Sequence, residues 1–560
     1  MNDTTVHAQA RRWMDEDPDA ETRAEVQALL DAGDDAGLED RFGSALTFGT
    51  AGLRGVVGAG PNRMNRVVVL RTSAGLARYL KRTVPGAAER GVVVGCDARR
   101  GSPEFKADVA RALAAEGVRA LVFERPVPTP VVAFTVRETG AAAGVVITAS
   151  HNPPEYNGYK VYAAHGGQIV PPDDEGIAAE IAAVGDVRPL IDAPARAAVE
   201  TLGEAAEQAY RSMVRGVGTP GVPLKIAYTA LHGVGARFAT KALAPYGSVY
   251  SVAAQAEPDG SFPTVRFPNP EEPGAMDLVL SIAAAEGADL ALANDPDADR
   301  LAVAVPTPMG WRMLTGNEVG VLLGDHLLRT TSGDRFVANS VVSSPMLGVI
   351  AASYGSRCLE TLTGFKWIAY TAERETERTG ARWIFGYEEA LGYAVTSAVR
   401  DKDGITAAVC MASLAAALKA EGSTLYARLE ALYARHGRYV SVQHNVTAPG
   451  ATGAARIATI MAAFRAKPLT SLAGVAVVRT LDYAVGADGL PPSDVLRYDL
   501  AGGGRVMLRP SGTEPKIKYY FDHPEPAQPH DDTASHELRA RARLGELRQA
   551  FLAEVTARVG

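Results

Sequence analysis

The stretch Ala142–Pro154, AAGVVITASHNPP, decides how this chain folds. Its first half is uncharged, small and β-branched, and ends at Thr148. That is the pattern of a short strand buried on both faces, as in a parallel sheet. The second half breaks the pattern at once. Asn152 favours a turn, and Pro153 and Pro154 stop the backbone from continuing into a helix. Ser150 is thus presented on a tight loop at the carboxyl end of a parallel strand, where open α/β sheets place their sites. The plainer alternative is a Ser–Asn turn that only closes the strand.

Outward from this stretch, strands alternate with Ala-rich helices. Gly91–Cys96 reads as a buried strand, and Ser102-Pro103 as an N-cap and first-turn proline for a helix reaching about Glu116. A strand VRALVF follows, then a helix after Pro130. The alternation restarts at Leu224 (LKIAYTA, GARFATKALAPYG, VYSVA), runs through Leu278–Glu286 to a strand Asp289–Ala293, and begins a third time at Arg335 (RFVANSVVSS). Such alternation predicts βαβ units and mostly parallel sheets, hence three similar α/β domains. From about Ser441 the strands are more widely spaced, and a charged amphipathic helix (ELRARARLGELRQAFLAEV) follows, which predicts a smaller α+β domain. The expected domains are 1–219, 220–330, 331–440 and 441–560. The Pro-rich acidic segment 522–532 (DHPEPAQPHDD) is expected to be an exposed loop with no catalytic task.

Bulk properties narrow the function. At roughly 100–200 residues per domain, a chain of 560 residues holds several domains. The net charge of −7 speaks against a nucleic-acid partner, which would call for Lys and Arg gathered on one face. An acidic protein that handles phosphate must supply positive charge locally, from a metal, a few Arg or Lys, and backbone N–H groups. Cys96, Cys358 and Cys410 lack metal-ligand spacing and read as small core residues in a reducing compartment. The N-terminus carries no apolar signal region, and Ile405–Leu418 is shorter than the ~20 residues of a membrane span. A cytoplasmic protein with no membrane partner is expected.

Three further loops carry chemistry. Asp295-Pro-Asp-Ala-Asp-Arg300 sets three carboxylates at alternate positions, able to converge on one hard cation. An EF-hand is rejected, because the positions that need Gly and Glu hold Arg300 and Pro306. A small site of Asp295, Asp297 and Asp299 with open coordination positions suits Mg²⁺; the alternative is a solvated acidic turn. In Gly386-Tyr-Glu-Glu-Ala-Leu-Gly-Tyr393, glycines bracket Glu388 and Glu389, suited to accept hydrogen bonds from sugar hydroxyls. In Arg509-Pro-Ser-Gly-Thr-Glu-Pro-Lys516, Arg509 offers a bidentate fork, Ser511 and Thr513 offer hydroxyls, and a turn through Gly512 can aim N–H groups at one anion. A hairpin turn with incidental polar residues is the other reading. Gly216, Gly218 and Gly221 satisfy G-x-G-x-x-G but precede a strand and include Pro220, so they read as a linker.

These four loops, TASHNP at 148–153, DxDxDR at 295–300, 386–393 and RPSGTEP at 509–515, stand in the order found in the α-D-phosphohexomutase superfamily, which the chain resembles over nearly its whole length. The resemblance implies four domains around a central cleft, the fourth closing over substrate. It implies that Ser150 is carried as phosphoserine and that Asp295, Asp297 and Asp299 hold Mg²⁺, with a phosphoserine oxygen at Ser150 completing the site. Lys160 (in NGYK) and Arg54 (in GLRG) match positions near the transferring phosphate. Arg300 would face the cleft, and Lys402 (in RDKDG) matches a lysine that some members place at the sugar. Many hexomutases have Ser where this chain has Ala390. With TGFKWI at 363–368, that resembles the branch holding phosphopentomutases and the phosphoglucomutases closest to them.

The implied activity is a phosphosugar mutase: phospho-Ser150 donates to a sugar monophosphate, and a sugar 1,6-bisphosphate serves as intermediate and activator. Lys160 and His151 are the candidates for proton transfer; Glu388 would read hydroxyls, and Arg509, Ser511, Gly512 and Thr513 would clamp the phosphate that is not reacting. Small sugar phosphates are the expected partners, hexose 1- and 6-phosphates first and pentose 1- and 5-phosphates as the alternative. A serine phosphatase would have no use for a second phosphate clamp. A non-catalytic sugar-phosphate sensor would be expected to have lost the nucleophile or a metal carboxylate.

Overall fold

The run at 142–148 is a strand, Ala143–Ile147, with all five residues buried. The computed structural model describes residues 6–192, 194–448, 451–511, 516–528 and 531–559. It divides into one unit of Met1–Leu314 with Gly392–Glu421 and another of Thr315–Leu391 with Gly422–Gly560.

In the first unit, one sheet has the order Leu53–Val56, Tyr156–Ala163, Ala143–Ile147, Val92–Cys96, Ala120–Phe123, Val199–Leu202. The last four run parallel, the first three of them as their apolar runs predict. Helices Arg66–Thr83, Ser102–Ala115 and Thr129–Glu138 cover the sheet. A second sheet has the order Gly310–Met313, Leu301–Thr307, Leu290–Asn294, Leu224–Thr229, Gly247–Ser251.

Both sheets are mostly parallel, as expected, each with one strand that runs against the others. Tyr156–Ala163 returns antiparallel to Ala143–Ile147, and Leu301–Thr307 antiparallel to Leu290–Asn294. A short loop between strands permits only an antiparallel return, and the serine and aspartate loops are these two connections. A correction concerns Ser102. The helix N-cap is Gly101 at φ 78°, and Ser102 lies inside the helix. Its hydroxyl donates to Asp97 at 2.7 Å, because a buried carboxylate at the end of a strand needs donors.

The apolar run 405–418 is a helix, Gly404–Ala420, buried on nearly every side. No single described helix is long and apolar enough to cross a membrane.

In the second unit, Arg357–Thr361, Arg335–Ser340 and Arg382–Glu388 form a parallel sheet. A fully antiparallel sheet follows, ordered Arg438–Thr447, Lys516–Glu525, Arg505–Pro510, Leu496–Leu500, Val475–Asp482, Ser471–Leu472. The fold is three α/β/α domains and a C-terminal domain on an antiparallel sheet, as expected. The segment 522–532 departs from its expectation. Register runs from Thr447↔Lys516 to Arg438↔Glu525, so residues 522–525 belong to a strand. Asp522 is buried there and accepts two bonds from Arg505, at 3.1 and 2.7 Å. Pro526–Gln528 is exposed, and residues 529–530 lie outside the described residues.

Asp403 caps helix Gly404–Ala420, accepting N–H bonds from Ile405 and Thr406, and takes the Tyr210 hydroxyl at 2.9 Å. Burial raises its carboxyl from 3.8 to about 6, against the lowering effect of these bonds. A raised folded-state value means that protonation favours the fold. The stabilisation is complete below pH about 4 and is lost as pH rises through about 6, worth about 3 kcal/mol. Asp403→Asn keeps the cap acceptor and removes the charge. We expect unfolding midpoints measured from pH 4 to pH 8 to fall less steeply in this variant than in the parent chain.

A candidate active site on the serine and aspartate loops

Ser150 stands at φ 53°, in the left-handed region, which costs a non-glycine residue about 1–3 kcal/mol. Three sets of bonds hold it there. Its N–H donates to Thr148 Oγ1 at 2.9 Å, and its Oγ donates to Asp295 Oδ2 at 2.9 Å. The buried Arg99 guanidinium donates to the carbonyls of Ser150 and Asn152, both at 2.6 Å. Charge-assisted bonds contribute about 1.5–3 kcal/mol each, enough to offset the strain.

The aspartate loop follows strand Leu290–Asn294. Ala298 at φ 55° and its N–H bond to the Asp295 carbonyl at 2.9 Å fold it back on itself. Asp295, Asp297 and Asp299 are 0%, 0% and 1% exposed, which rules out a solvated acidic turn. Each can offer an oxygen within 4.8 Å of the others.

Lys160 Nζ donates to Asp297 Oδ2 at 2.7 Å and Asp299 Oδ2 at 3.0 Å. It arrives there because its strand pairs with the serine strand at Val146↔Lys160. Lys402 Nζ lies 3.3 Å from Asp299, and the Arg300 N–H donates to Asp295 Oδ1 at 3.0 Å. Arg54 is exposed and donates to the Asn152 side chain at 2.9 Å. His151 Nδ1 is 3.3 Å from Ser150 Oγ.

Charge inside this loop is unequal. Burial, with Asp297 and Asp299 nearby, pushes the Asp295 carboxyl well above its usual range. Burial acts the same way on Asp297, but Lys160 outweighs it and holds that carboxyl low. Burial disfavours the Lys160 ammonium, yet Asp297 and Asp299 raise its value overall. His151 is driven far below its ordinary value by burial and by Arg300 and Arg54, so it is neutral.

Asp297 Oδ1 and Asp299 Oδ1 are buried without a hydrogen-bond partner. Carboxylate oxygens left bare in a dry site, beside a third carboxylate, fit a hard divalent cation of the Mg²⁺ type.

The remaining expected residues lie in the second unit. Glu388 Oε1 accepts the Gly364 N–H at 2.6 Å, tying the sugar loop to the TGFKWI segment. Burial and the Glu389 charge raise the Tyr520 hydroxyl, while Arg509 acts to lower it. The Ser511 N–H donates to the Lys516 carbonyl at 2.8 Å. Gly512 and Thr513 lie outside the described residues.

Sequence reasoning missed Arg99 and Thr129. Thr129 Oγ1 donates to Asp297 Oδ2 at 2.6 Å. Arg99 had a usable signal, since DARRGS follows the buried strand Val92–Cys96 at its carboxyl end. Thr129, at the start of a helix, had none.

If the bare oxygens mark a cation site, Mg²⁺ stabilises the folded chain by linkage, about 2.7 kcal/mol at a hundred times its dissociation constant. We expect the thermal unfolding midpoint to rise with added Mg²⁺ and the rise to vanish in Asp299→Asn.

Comparison with known proteins agrees with this geometry. The descriptions "Phosphoglucomutase/phosphomannomutase, alpha/beta/alpha domain I", "domain II", "domain III" and "C-terminal domain" match residues 45–188, 210–310, 315–436 and 451–531. A probable phosphomannomutase of Haemophilus influenzae is 43% identical over 82% of this chain and 93% of its own length. A probable phosphoribomutase of Schizosaccharomyces pombe is 37% identical over 91% of this chain and 92% of its own. A crystal structure described as a putative phosphomannomutase of Thermus thermophilus superposes with TM-score 0.68 at 24% identity, covering 91% of this chain and 99% of that one, and shares the fold. Four successive domain matches and two relatives alike over nearly their full length make this chain a member of the phosphoglucomutase/phosphomannomutase family, the intramolecular phosphotransferases of the α-D-phosphohexomutase superfamily.

Proposed function

We propose that this phosphosugar mutase interconverts hexose 1-phosphates and hexose 6-phosphates, with glucose or mannose as the sugar and Ser150 as the phosphate carrier. The observation that carries the reading is the Ser150 hydroxyl, buried and 2.9 Å from Asp295 beside two carboxylates with bare oxygens. The choice of a hexose is supported by the 43% identity to a probable phosphomannomutase.

In this reading Asp295, Asp297 and Asp299 hold Mg²⁺ together with an oxygen of phospho-Ser150. The bound ion supplies charge neutralisation at the transferring phosphoryl group. The sugar hydroxyl oxygen bonds to phosphorus as the phosphorus–Oγ bond of Ser150 breaks, giving a sugar bisphosphate. The other phosphate then returns to Ser150 Oγ, and the isomeric monophosphate leaves.

Lys160 acts by charge and hydrogen bonding at the phosphoryl group and, with His151, is a candidate to carry the attacking hydroxyl's proton. His151 Nδ1, 3.3 Å from Oγ, is placed to return that proton to the serine oxygen as the phosphorus–Oγ bond breaks. Arg54 and Arg300 add positive charge at the phosphoryl group. Glu388 reads the sugar hydroxyls, with Lys402 beside them, and Arg509, Ser511, Gly512 and Thr513 grip the distal phosphate.

Pentose 1- and 5-phosphates are the second reading, favoured by Ala390 in the sugar loop and by the likeness to a probable phosphoribomutase. Initial rates with Mg²⁺, a trace of hexose 1,6-bisphosphate, and glucose, mannose or ribose 1-phosphate decide between them. We expect fastest turnover with a hexose and loss of at least ~1000-fold in Ser150→Ala, the scale seen when a catalytic nucleophile is removed. Preference for ribose 1-phosphate would establish the second reading, and full activity without Ser150 would refute the carrier.

A further inference from the structure

We propose that Arg99 is a positioning residue for phosphoryl transfer, holding the Ser150 loop from behind so that Oγ stays aimed at the aspartate loop. This rests on the reading of Ser150 as the phosphate carrier.

Arg99 follows strand Val92–Cys96 and is 2% exposed. Its Nη2 donates to the carbonyls of Ser150 and Asn152, both at 2.6 Å. Its Nη1 donates to the carbonyls of Pro153 at 2.7 Å and Tyr156 at 3.1 Å. Its Nε lies 3.2 Å from Asp97 Oδ2. One planar fork thus gathers four carbonyls from the loop between Ser150 and Tyr156. A lysine ammonium, with three donors at a single point, cannot span them. A buried guanidinium devoted to backbone carbonyls is more than chain closure requires, because Thr148 already caps the turn.

The fork is itself braced from the domain that carries the aspartates. The Phe262 ring lies 5.0 Å from the guanidinium carbon. Its segment reaches so far because residue 260 is glycine: a Cβ there would sit 2.6 Å from the Ala98 carbonyl oxygen and 2.7 Å from Arg99 Cα.

The segment returns to the aspartate loop through His232, whose ring bonds Thr264 Oγ1 at 2.8 Å and whose carbonyl accepts the Asp259 N–H at 2.9 Å. Next to it, a Cβ on Gly233 would fall 2.3 Å from Pro296 Cα, and the Val234 N–H donates to the Pro296 carbonyl at 2.8 Å. Arg99 therefore sits in a continuous line from Ser150 to Pro296, in the middle of the aspartate loop. A small displacement of a reacting group lowers a rate steeply while leaving distant substrate contacts intact, so the effect of Arg99 falls on kcat.

The test compares Arg99→Lys and Phe262→Leu with the parent chain, each at saturating Mg²⁺ on its best sugar phosphate. Intact mass of the parent and of Ser150→Ala, each after incubation with a trace of hexose 1,6-bisphosphate, first establishes whether Ser150 carries phosphate; a parent enzyme that turns over yet takes up no phosphate overturns the carrier reading and this inference together. With phosphoserine present, we expect kcat of Arg99→Lys to fall about 100-fold with KM and the unfolding midpoint close to the parent values. Phosphate already on Ser150 should leave correspondingly slowly in a single turnover. Phe262→Leu, which keeps all four carbonyl bonds, should lower kcat less and leave KM unchanged. If Arg99→Lys fails to fold, the Phe262→Leu split between kcat and KM decides alone. Parent-like kcat in a folded Arg99→Lys, or a rise in KM with a fall in both kcat and midpoint in Phe262→Leu, would overturn the positioning role while leaving Ser150 as the carrier.

Discussion

Three carboxylates removed from water within one short loop are the constraint on which the first unit depends. An isolated buried charge is prohibitively costly, so each must find a cation, a donor or a metal. Asp297 takes Lys160 and Thr129, Asp299 takes Lys160 and Lys402, and Asp295 takes the Ser150 hydroxyl and the Arg300 N–H. These partners come from both sheets of the unit and from the segment before helix Gly404–Ala420. Satisfying the loop therefore assembles the site. Even so, one oxygen each of Asp297 and Asp299 stays buried without a hydrogen-bond partner.

The same need for partners explains why the serine loop is strained. Ser150 at φ 53° would relax if nothing held it. The Thr148 hydroxyl, the Asp295 carboxylate and the Arg99 fork hold it from three sides. A preorganised donor or acceptor needs no rearrangement when the phosphoryl group moves, which is how positioning becomes rate in phosphoryl transfer. In the second unit, the Glu388–Gly364 bond ties the sugar loop to the TGFKWI segment in a similar way.

Much of this was legible in one dimension. The runs GVVVGC and AAGVVIT are strands because β-branched residues buried on both faces pack best in a covered parallel sheet. The serine and aspartate loops stood out by residue type and spacing. Less legible were features whose cause lies far away in the chain. Tyr156–Ala163 runs antiparallel because the serine loop is too short for a crossover, and nothing in its own residues says so. Residues 522–525 look like the start of a Pro-rich loop, yet pairing with Arg438–Tyr439 and the Asp522–Arg505 bonds extend the strand through them. Ser102 looks like a helix cap, but the neighbouring Asp97 claims its hydroxyl.

By itself the sequence determined the strand–helix alternation, the α/β class and the two loops that carry Ser150 and the three carboxylates, because each depends on local pattern and on chemistry carried by adjacent residues. Tertiary structure decided that those carboxylates are dry, that Lys160 and Lys402 face them, that His151 is neutral, and that Arg99 stands behind the serine. Burial, electrostatic coupling and long-range hydrogen bonding are properties of neighbours in space. Arg99 lies 51 residues from the serine whose carbonyl it holds, and Lys160 lies 137 from Asp297. No periodicity or spacing along the chain encodes a contact of that kind; only the folded sheets bring those atoms to 2.6 and 2.7 Å.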